Sequence, residues 1–521
     1  MDRLFAGLDI STQSAKLVLL NWVSGSVLYE DSLSYDLDLS HYGTKNGVIP
    51  NKDKSVSESD PKMWIEAVDL LFQRSKDKSI PLDQIKSISV SGQQHGLVSL
   101  DKEGNLSRPL SKLWNDFSTQ KECDLLEKSI GGRSEMIKEV GNSQRTGYTA
   151  SKIYNIFLNE RGIYDKTAVF LLVHNYINWY LTGGTSIMEE GDASGTALWS
   201  PVNKNWSEKV MNSIDVSLKA KLPNVDSSKK SIGFISKSLV KHFGFSPDCT
   251  IDSGSGDNMY GALGTGNITS GLVTISLGTS GTAYTFLENP FIDSSGEIAC
   301  FCDSTGNYLP LLCVSNMANG YNNFLKQNSL SHSDFDLLIE KSNPGNNGKI
   351  IIPWFEGERT PDLPEAAPIY FGFNPEDFNK NTMARGLLEG HIQNLYDGFR
   401  RLPVRPKKIH LTGGMSKSRS WCQAIADIFS CETVPLESEG AAMGAALHAS
   451  WVWHNENREP KEINEIVEPF ILFNERLICE PREKYQKIYG DQKKLFSSLS
   501  KRARGQDSED PFKIFHQMVK H

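Results

Sequence analysis

Two short turns stand directly after apolar runs and have the residue types to cradle phosphate. They are Asp9-Ile10-Ser11-Thr12-Gln13-Ser14 and Ser276-Leu277-Gly278-Thr279-Ser280-Gly281-Thr282. A tight turn of Gly, Ser and Thr offers backbone N–H groups and hydroxyls to phosphate oxygens with no bulk in the way. Asp9 adds a hard anionic oxygen suited to Mg²⁺, directly or through water. Either tip alone reads equally well as an ordinary hairpin turn, because Gly, Ser and Asp are favoured there in any case. Two of them, one in each half of the chain, favour a nucleotide held between two lobes. A third polar loop, Ser91-Gly92-Gln93-Gln94-His95-Gly96, follows the apolar run Ile85 to Val90, where α/β folds place ligand contacts.

Other common chemistries lack their signatures. The chain has no GxxxxGK[ST], which excludes a P-loop, and no GxSxG nucleophile elbow. Its nearest glycine string, Gly254-Ser255-Gly256-Asp257-Asn258, carries Asp-Asn where a dinucleotide-binding helix should pack, so hydride transfer is disfavoured. The 11 histidines include no HExxH or paired metal spacing.

The elements needed to hold these turns can be read from periodicity. Leu4 to Leu8 and Ala15 to Leu20 are predicted strands joined by the first turn, and Leu272 to Ile275 and Ala283 to Phe286 repeat that arrangement around the second. A third junction runs from Lys408-Ile409-His410-Leu411 into Thr412-Gly413-Gly414-Met415-Ser416, with a helix expected over about 418–429. Asp60-Pro61 opens another helix, with Trp64, Ala67, Val68, Leu71 and Phe72 at helical spacing. A duplicated α/β architecture with a cleft follows, its halves meeting near 245–255, where Gly244, Pro247 and Gly254 cluster. The charged end from about 485 is expected to be a mobile extension.

Composition sets the outer bounds. The chain has 521 residues, too many for one typical domain, with 39% hydrophobic and 23% charged residues, ordinary for a globular protein. No run approaches the roughly 18 apolar residues of a membrane span. The start, Met1 to Asp9, breaks its apolar character too soon for a signal peptide. Eight scattered cysteines form no CxxC pair, and only Cys300 and Cys302 stand close together, which suggests reduced, buried thiols in a cytoplasmic protein. A net charge of −8 argues against nucleic acid as partner.

The three loops, together with Leu113-Trp114-Asn115-Asp116, Gly191-Asp192-Ala193-Ser194-Gly195-Thr196, Gly256-Asp257-Asn258, Gly357-Glu358-Arg359-Thr360-Pro361 and Thr412-Gly413-Gly414, resemble the FGGY carbohydrate kinases in content and order. Within that family the likeness is greatest to members acting on xylulose, and it covers about residues 4 to 450. The resemblance implies an α/β fold of two actin-like, ribonuclease H-like lobes with a central cleft, sugar deep inside it and ATP held mainly by the second lobe. It divides the chain into a sugar-binding lobe over 1–250, an ATP-binding lobe over 251–484 and an extension over 485–521.

Carried onto single residues, the resemblance implies that Asp192 is the general base toward the sugar's terminal hydroxyl, with Gly191, Ala193 and Gly195 leaving room for the sugar. Gln94 and His95 would contact a pentulose, and Asp257 and Asn258 would close onto it from the second lobe. Arg145 would reach sugar oxygens, although a surface ion pair serves it equally well. Asp9, Thr12, Gly278, Thr279 and Ser280 would flank the triphosphate and Mg²⁺, with Asp9 as metal ligand. Gly413 and Gly414 would let adenosine lie against backbone, and Glu439-Gly440-Ala441-Ala442-Met443-Gly444 would start a closely packed helix. Ser11, Met415 and Ser255 depart from the family's usual glycines without removing a reacting group. The implied reaction is phosphorylation of D-xylulose at O5 by Mg-ATP in a monomer or homodimer, with no membrane or nucleic-acid partner. D-ribulose or glycerol as substrate, a non-catalytic sugar or nucleotide sensor, and an actin-like ATPase are the alternatives.

Overall fold

Leu4, Ala6, Leu8 and Ile10 share one face of the first strand and Phe5 lies on the other, and all five side chains are wholly buried. A strand with two apolar faces must lie inside a sheet covered on both sides. The computed structural model, which describes residues 3–437 and 440–519, shows this arrangement. Leu4–Ile10 pairs antiparallel with Ser14–Asn21 and parallel with Ile85–Gly92. The sheet continues through Ser26–Ser34 on one side and through Thr250–Asp252 and Ser231–Phe234 on the other.

The chain forms two compact units, each made of three segments. The first takes in residues 3–268, 287–309 and 440–471, and the second 269–286, 310–437 and 472–519. The second unit repeats the strand pattern of the first. Leu272–Leu277 pairs antiparallel with Gly281–Thr285 and parallel with Lys408–Thr412, followed by Thr433–Pro435. Each repeat sets a polar hairpin tip beside the end of a parallel strand: Asp9 stands opposite Ser91, and Ser276 opposite Thr412.

Helices cover the sheets as the periodicity requires. Pro61–Asp77 starts at Asp60, whose carboxylate accepts the Lys62 N–H at 2.9 Å, and its Trp64, Val68, Leu71 and Phe72 are wholly buried. Ser418 caps Arg419–Phe429. The small-residue run opens helix Ala441–Glu456, which crosses the first sheet so closely that a Cβ on Gly7 would sit 1.9 Å from the Ala442 carbonyl oxygen. Close packing therefore accounts for Ala442 and for Gly444, where a Cβ would lie 1.9 Å from the Tyr260 oxygen, while Gly440 is set by its φ of 138°; Glu439 lies outside the described residues.

Two expectations are corrected. The glycine string at 254–256 does lead into a helix, Asp257–Gly264, because Ser255 and Gly256 pair with Ser91 and Gly92 and release the chain at the carboxyl end of that strand. The charged end is not a mobile tail. Gln486–Ala503 is a helix of the second unit, and its Leu495 and Phe496 are buried with Ile350, Ile352 and Trp354. Tyr489 and Gln492 on the same helix donate hydrogen bonds to the buried Glu389 at 2.9 and 2.7 Å. Lysines on its outer face mask an apolar stripe at helical spacing. All eight cysteines are free thiols, and burial pushes Cys300 up to about 12. Among the described residues no helix is long and apolar enough to cross a membrane.

Candidate active site

In the first unit the ends of the parallel strands gather several of the expected residues. Asp9 leaves the central strand with both carboxylate oxygens occupied by hydroxyl donors, Ser11 at 2.6 Å and Ser91 at 2.7 Å. Burial raises its pKa against the pull of those hydroxyls. Ser11 thus holds the carboxylate where a glycine could not. Thr12 at the tip donates to Gln93 Oε1 at 3.2 Å and accepts from Trp114 Nε1 at 2.9 Å.

Asp192 belongs to a short helix, Glu190–Ser194, and has no exposed surface. Its Oδ2 meets His174 Nδ1 at 2.8 Å, and its Oδ1 is 3.5 Å from Gln94 Nε2. Glu189 caps the same helix by accepting the Gly191 and Asp192 N–H groups, and also takes the Ser255 hydroxyl at 2.9 Å. Burial lifts Glu189 to about 8, aided by the Asp192 charge. The glycines here make room for the protein's own side chains rather than for a ligand. A Cβ on Gly191 would meet Glu189 at 2.8 Å, and one on Gly195 would meet His95 at 2.9 Å and Gln94 at 3.1 Å.

Asp257 and Asn258 open the helix that follows Gly256 and are partly exposed. Expected with the second lobe, they belong to the first unit, because strand Ser255–Gly256 and helix Asp257–Gly264 pack onto that unit's sheet and onto helix Ala441–Glu456. Asn258 Nδ2 donates to Gln94 Oε1 at 2.7 Å and to Asp257 Oδ1 at 3.1 Å. Asp257 rises to about 8, chiefly through burial and then through the charges of Asp9 and Asp192. His95 stands beside them in a left-handed backbone conformation, φ 65°, with its carbonyl held by the buried Lys152 Nζ at 2.7 Å. Burial lowers that lysine to about 7.

Arg145 is placed differently. Its guanidinium donates to the Gly296 carbonyl at 2.7 Å and approaches the Ser143 hydroxyl at 3.4 Å, so it ties down a loop of the first unit.

In the second unit the tip is open to solvent at Thr279 and Ser280. The Thr279 carbonyl accepts N–H groups of Met317 and Ala318 at 3.0 and 3.1 Å, which fixes the turn from below. Gly413 has φ 86°, and a Cβ there would lie 2.7 Å from the Leu277 oxygen. The strand end beside the tip, rather than a ligand, demands glycine at 413. Gly414 does face open space.

His174, Asn175 and Glu189 join this group without having been singled out by sequence. His174 is 18 residues from Asp192 and sits in no metal-binding spacing, so nothing local marks it. The adjacent Glu189-Glu190 before Asp192 was the one available signal, a carboxylate pair near a small-residue loop.

Among the described residues no group of three or more His, Cys, Asp and Glu is arranged to hold a metal by itself. Asp9 nonetheless fits Mg²⁺, which binds through one or two carboxylates while substrate phosphates and water complete the shell. A buried carboxylate whose ionisation is opposed by its surroundings is one that a cation would stabilise.

The model of the N-terminal domain of the FGGY family of carbohydrate kinases matches residues 4–264, and that of the C-terminal domain matches 273–453. A xylulose kinase of Haemophilus influenzae is 33% identical over 503 residues, covering 93% of this chain and 98% of that protein. A ligand-bound xylulose kinase structure from Lactobacillus acidophilus is similar with a TM-score of 0.85 at 23% identity, over 96% of this chain and 98% of that one. A glycerol kinase from Plasmodium falciparum, solved with ADP, reaches a TM-score of 0.79 at 18% identity, over 98% of this chain and 99% of that one. With the two duplicated sheets and the residues at their strand ends, these matches show that the chain belongs to the FGGY family of carbohydrate kinases.

Proposed function

We propose that this carbohydrate kinase transfers the γ-phosphoryl group of Mg-ATP to O5 of D-xylulose. The substrate reading is supported by the xylulose kinase of Haemophilus influenzae, whose likeness runs nearly end to end. We assign sugar binding to the first unit, through Gln94, His95 and Asn258. Nucleotide binding falls mainly to the second, through Gly278, Thr279, Ser280 and Gly414, with Asp9 and Thr12 toward the phosphates.

The observation that carries this reading is the group of carboxylates around Gln94. A general base must touch the hydroxyl whose proton it takes. Asp192 is wholly buried and engaged on both oxygens, whereas Asp257 is partly exposed and raised to about 8. Asp257 is therefore the base we assign, in place of Asp192. It accepts the proton of the terminal hydroxyl as that oxygen bonds to the γ-phosphorus; the bond from phosphorus to the β–γ bridging oxygen breaks, and ADP leaves. Mg²⁺ at Asp9, when bound, neutralises charge on the phosphates. Asp192 acts beside the reaction as a fixed charge that raises Asp257 toward working pH.

The test is ADP release from the full chain with Mg-ATP alone and with D-xylulose, D-ribulose or glycerol. Release dependent on xylulose supports the proposal. Dependence on another of the three keeps the kinase and changes the substrate, and release without any sugar points to an ATPase.

A further inference from the structure

A line of hydrogen bonds with a single permitted direction runs from buried backbone to the sugar-side residues. It begins at the Leu172 N–H, which can only donate and which meets Asn175 Oδ1 at 3.2 Å. The same amide sends its nitrogen to the Ile187 carbonyl at 2.9 Å, an atom that can only accept. These two backbone groups fix the orientation of the Asn175 amide. Asn175 Nδ2 also lies 2.8 Å from His174 Nε2, so that ring nitrogen must be the acceptor and carries no proton. The His174 proton is then on Nδ1 and is donated to Asp192 Oδ2. Asp192 Oδ1 is left to face the Gln94 amide, where it can take only an N–H. Gln94 Oε1 in turn accepts from Asn258 Nδ2, whose other hydrogen goes to Asp257.

The donor and acceptor count at the end of this line is definite. Gln94 has used one N–H and one lone pair of its oxygen, which leaves one N–H and a second lone pair. Asn258 has spent both N–H groups, which leaves its oxygen. A donor beside acceptor oxygens on adjacent side chains suits a hydroxyl next to another sugar oxygen. Reversing the Asn175 amide would shift the His174 proton to Nε2 and set a bare Nδ1 against Asp192 Oδ2, which unseats the carboxylate that takes the Gln94 N–H.

We propose that Asn175 is a positioning residue that, by fixing the His174 proton on Nδ1, seats Asp192 and through it the Gln94 amide on the sugar side. The ligand class rests on the proposed function above, but the proton position does not. His174, Asn175 and Asp192 are all wholly buried, so water cannot substitute for a missing link.

Two measurements test it. Histidine-selective ¹⁵N spectra of the full chain read the tautomer directly, with His174 assigned by the signal lost in His174→Gln or, should that variant not fold, displaced in Asn175→Ala. A neutral ring protonated on Nδ1 is expected; a cationic ring or a proton on Nε2 overturns the proposal whether or not the protein phosphorylates xylulose. Asn175→Asp keeps an acceptor for Leu172 but places an oxygen against His174 Nε2. It is expected to raise the KM for sugar about tenfold, with the KM for ATP unchanged and kcat within about threefold. A purely structural role would lower the melting temperature and the active fraction without moving KM, and an unchanged sugar KM in folded Asn175→Asp refutes the positioning role.

Discussion

Asp257 is raised to about 8 from an ordinary 3.8, by burial first and then by Asp9 and Asp192, and this has two separable consequences. Replacing it with Asn should cut kcat about 10³-fold while sugar affinity, read by calorimetry, stays within about threefold. Asp192→Asn should instead act mainly on the KM for sugar, because the new amide presents an N–H where Gln94 offers one. The opposite ranking would return the role of base to Asp192. The second consequence concerns stability. The folded chain keeps a proton on Asp257 that the unfolded chain releases above pH about 4. The stabilising contribution is therefore fully present below pH about 4 and lost as the pH rises through about 8. Asp257→Asn cannot ionise, so it should melt about 2–4 °C above the parent at pH 9, with the gap closing toward pH 5. Equal melting temperatures at pH 9 would mean the carboxylate is not opposed by its neighbours. His174 shows why part of the site escaped the sequence. A histidine facing a carboxylate 18 positions away leaves no spacing to detect, whereas Asp9 announces itself by ending an apolar strand.

At the level of elements, the hairpin tips were readable because strand, turn and strand are each a local pattern of residue type. The register that puts Ser276 beside Thr412 is not local, and neither is the reason for glycine at 413. Its φ of 86° and the Leu277 oxygen 2.7 Å from the site of a Cβ tie the parallel strand's end to the tip. Gly413→Ala should cost about 2–5 kcal/mol from strain and overlap together, measured by the shift in urea midpoint. Because Leu277 begins the turn at 278–280, the same change should raise the KM for ATP and leave that for sugar alone. Helix Asp257–Gly264 was missed for a related reason. Asp-Asn after glycine reads as a turn, and only the pairing of Ser255 and Gly256 with Ser91 and Gly92 makes it a helix start.

On the scale of the whole molecule, the end from about 485 reads as a mobile extension yet folds into helix Gln486–Ala503, because Lys487, Lys493 and Lys494 dilute a stripe that includes Tyr489, Leu495 and Phe496. A chain ending at Tyr485 would expose Trp354 and Ile350 and leave the buried Glu389 without its Tyr489 and Gln492 donors. It should bind an apolar dye and precipitate on heating well below the full chain, where loss of a loose tail would change neither. Threading is the larger matter. The chain passes between its two units five times, at 268/269, 286/287 and 309/310, between 437 and 440, and at 471/472. Strand Leu4–Ile10 is made more than 400 residues before the helix that lies against Gly7, Ala441–Glu456. At about 5–20 residues per second a ribosome needs roughly 20 to 90 s to travel from one to the other. For all that time a growing chain carries a sheet with one greasy face uncovered, which makes this protein a natural client for chaperones during its own synthesis.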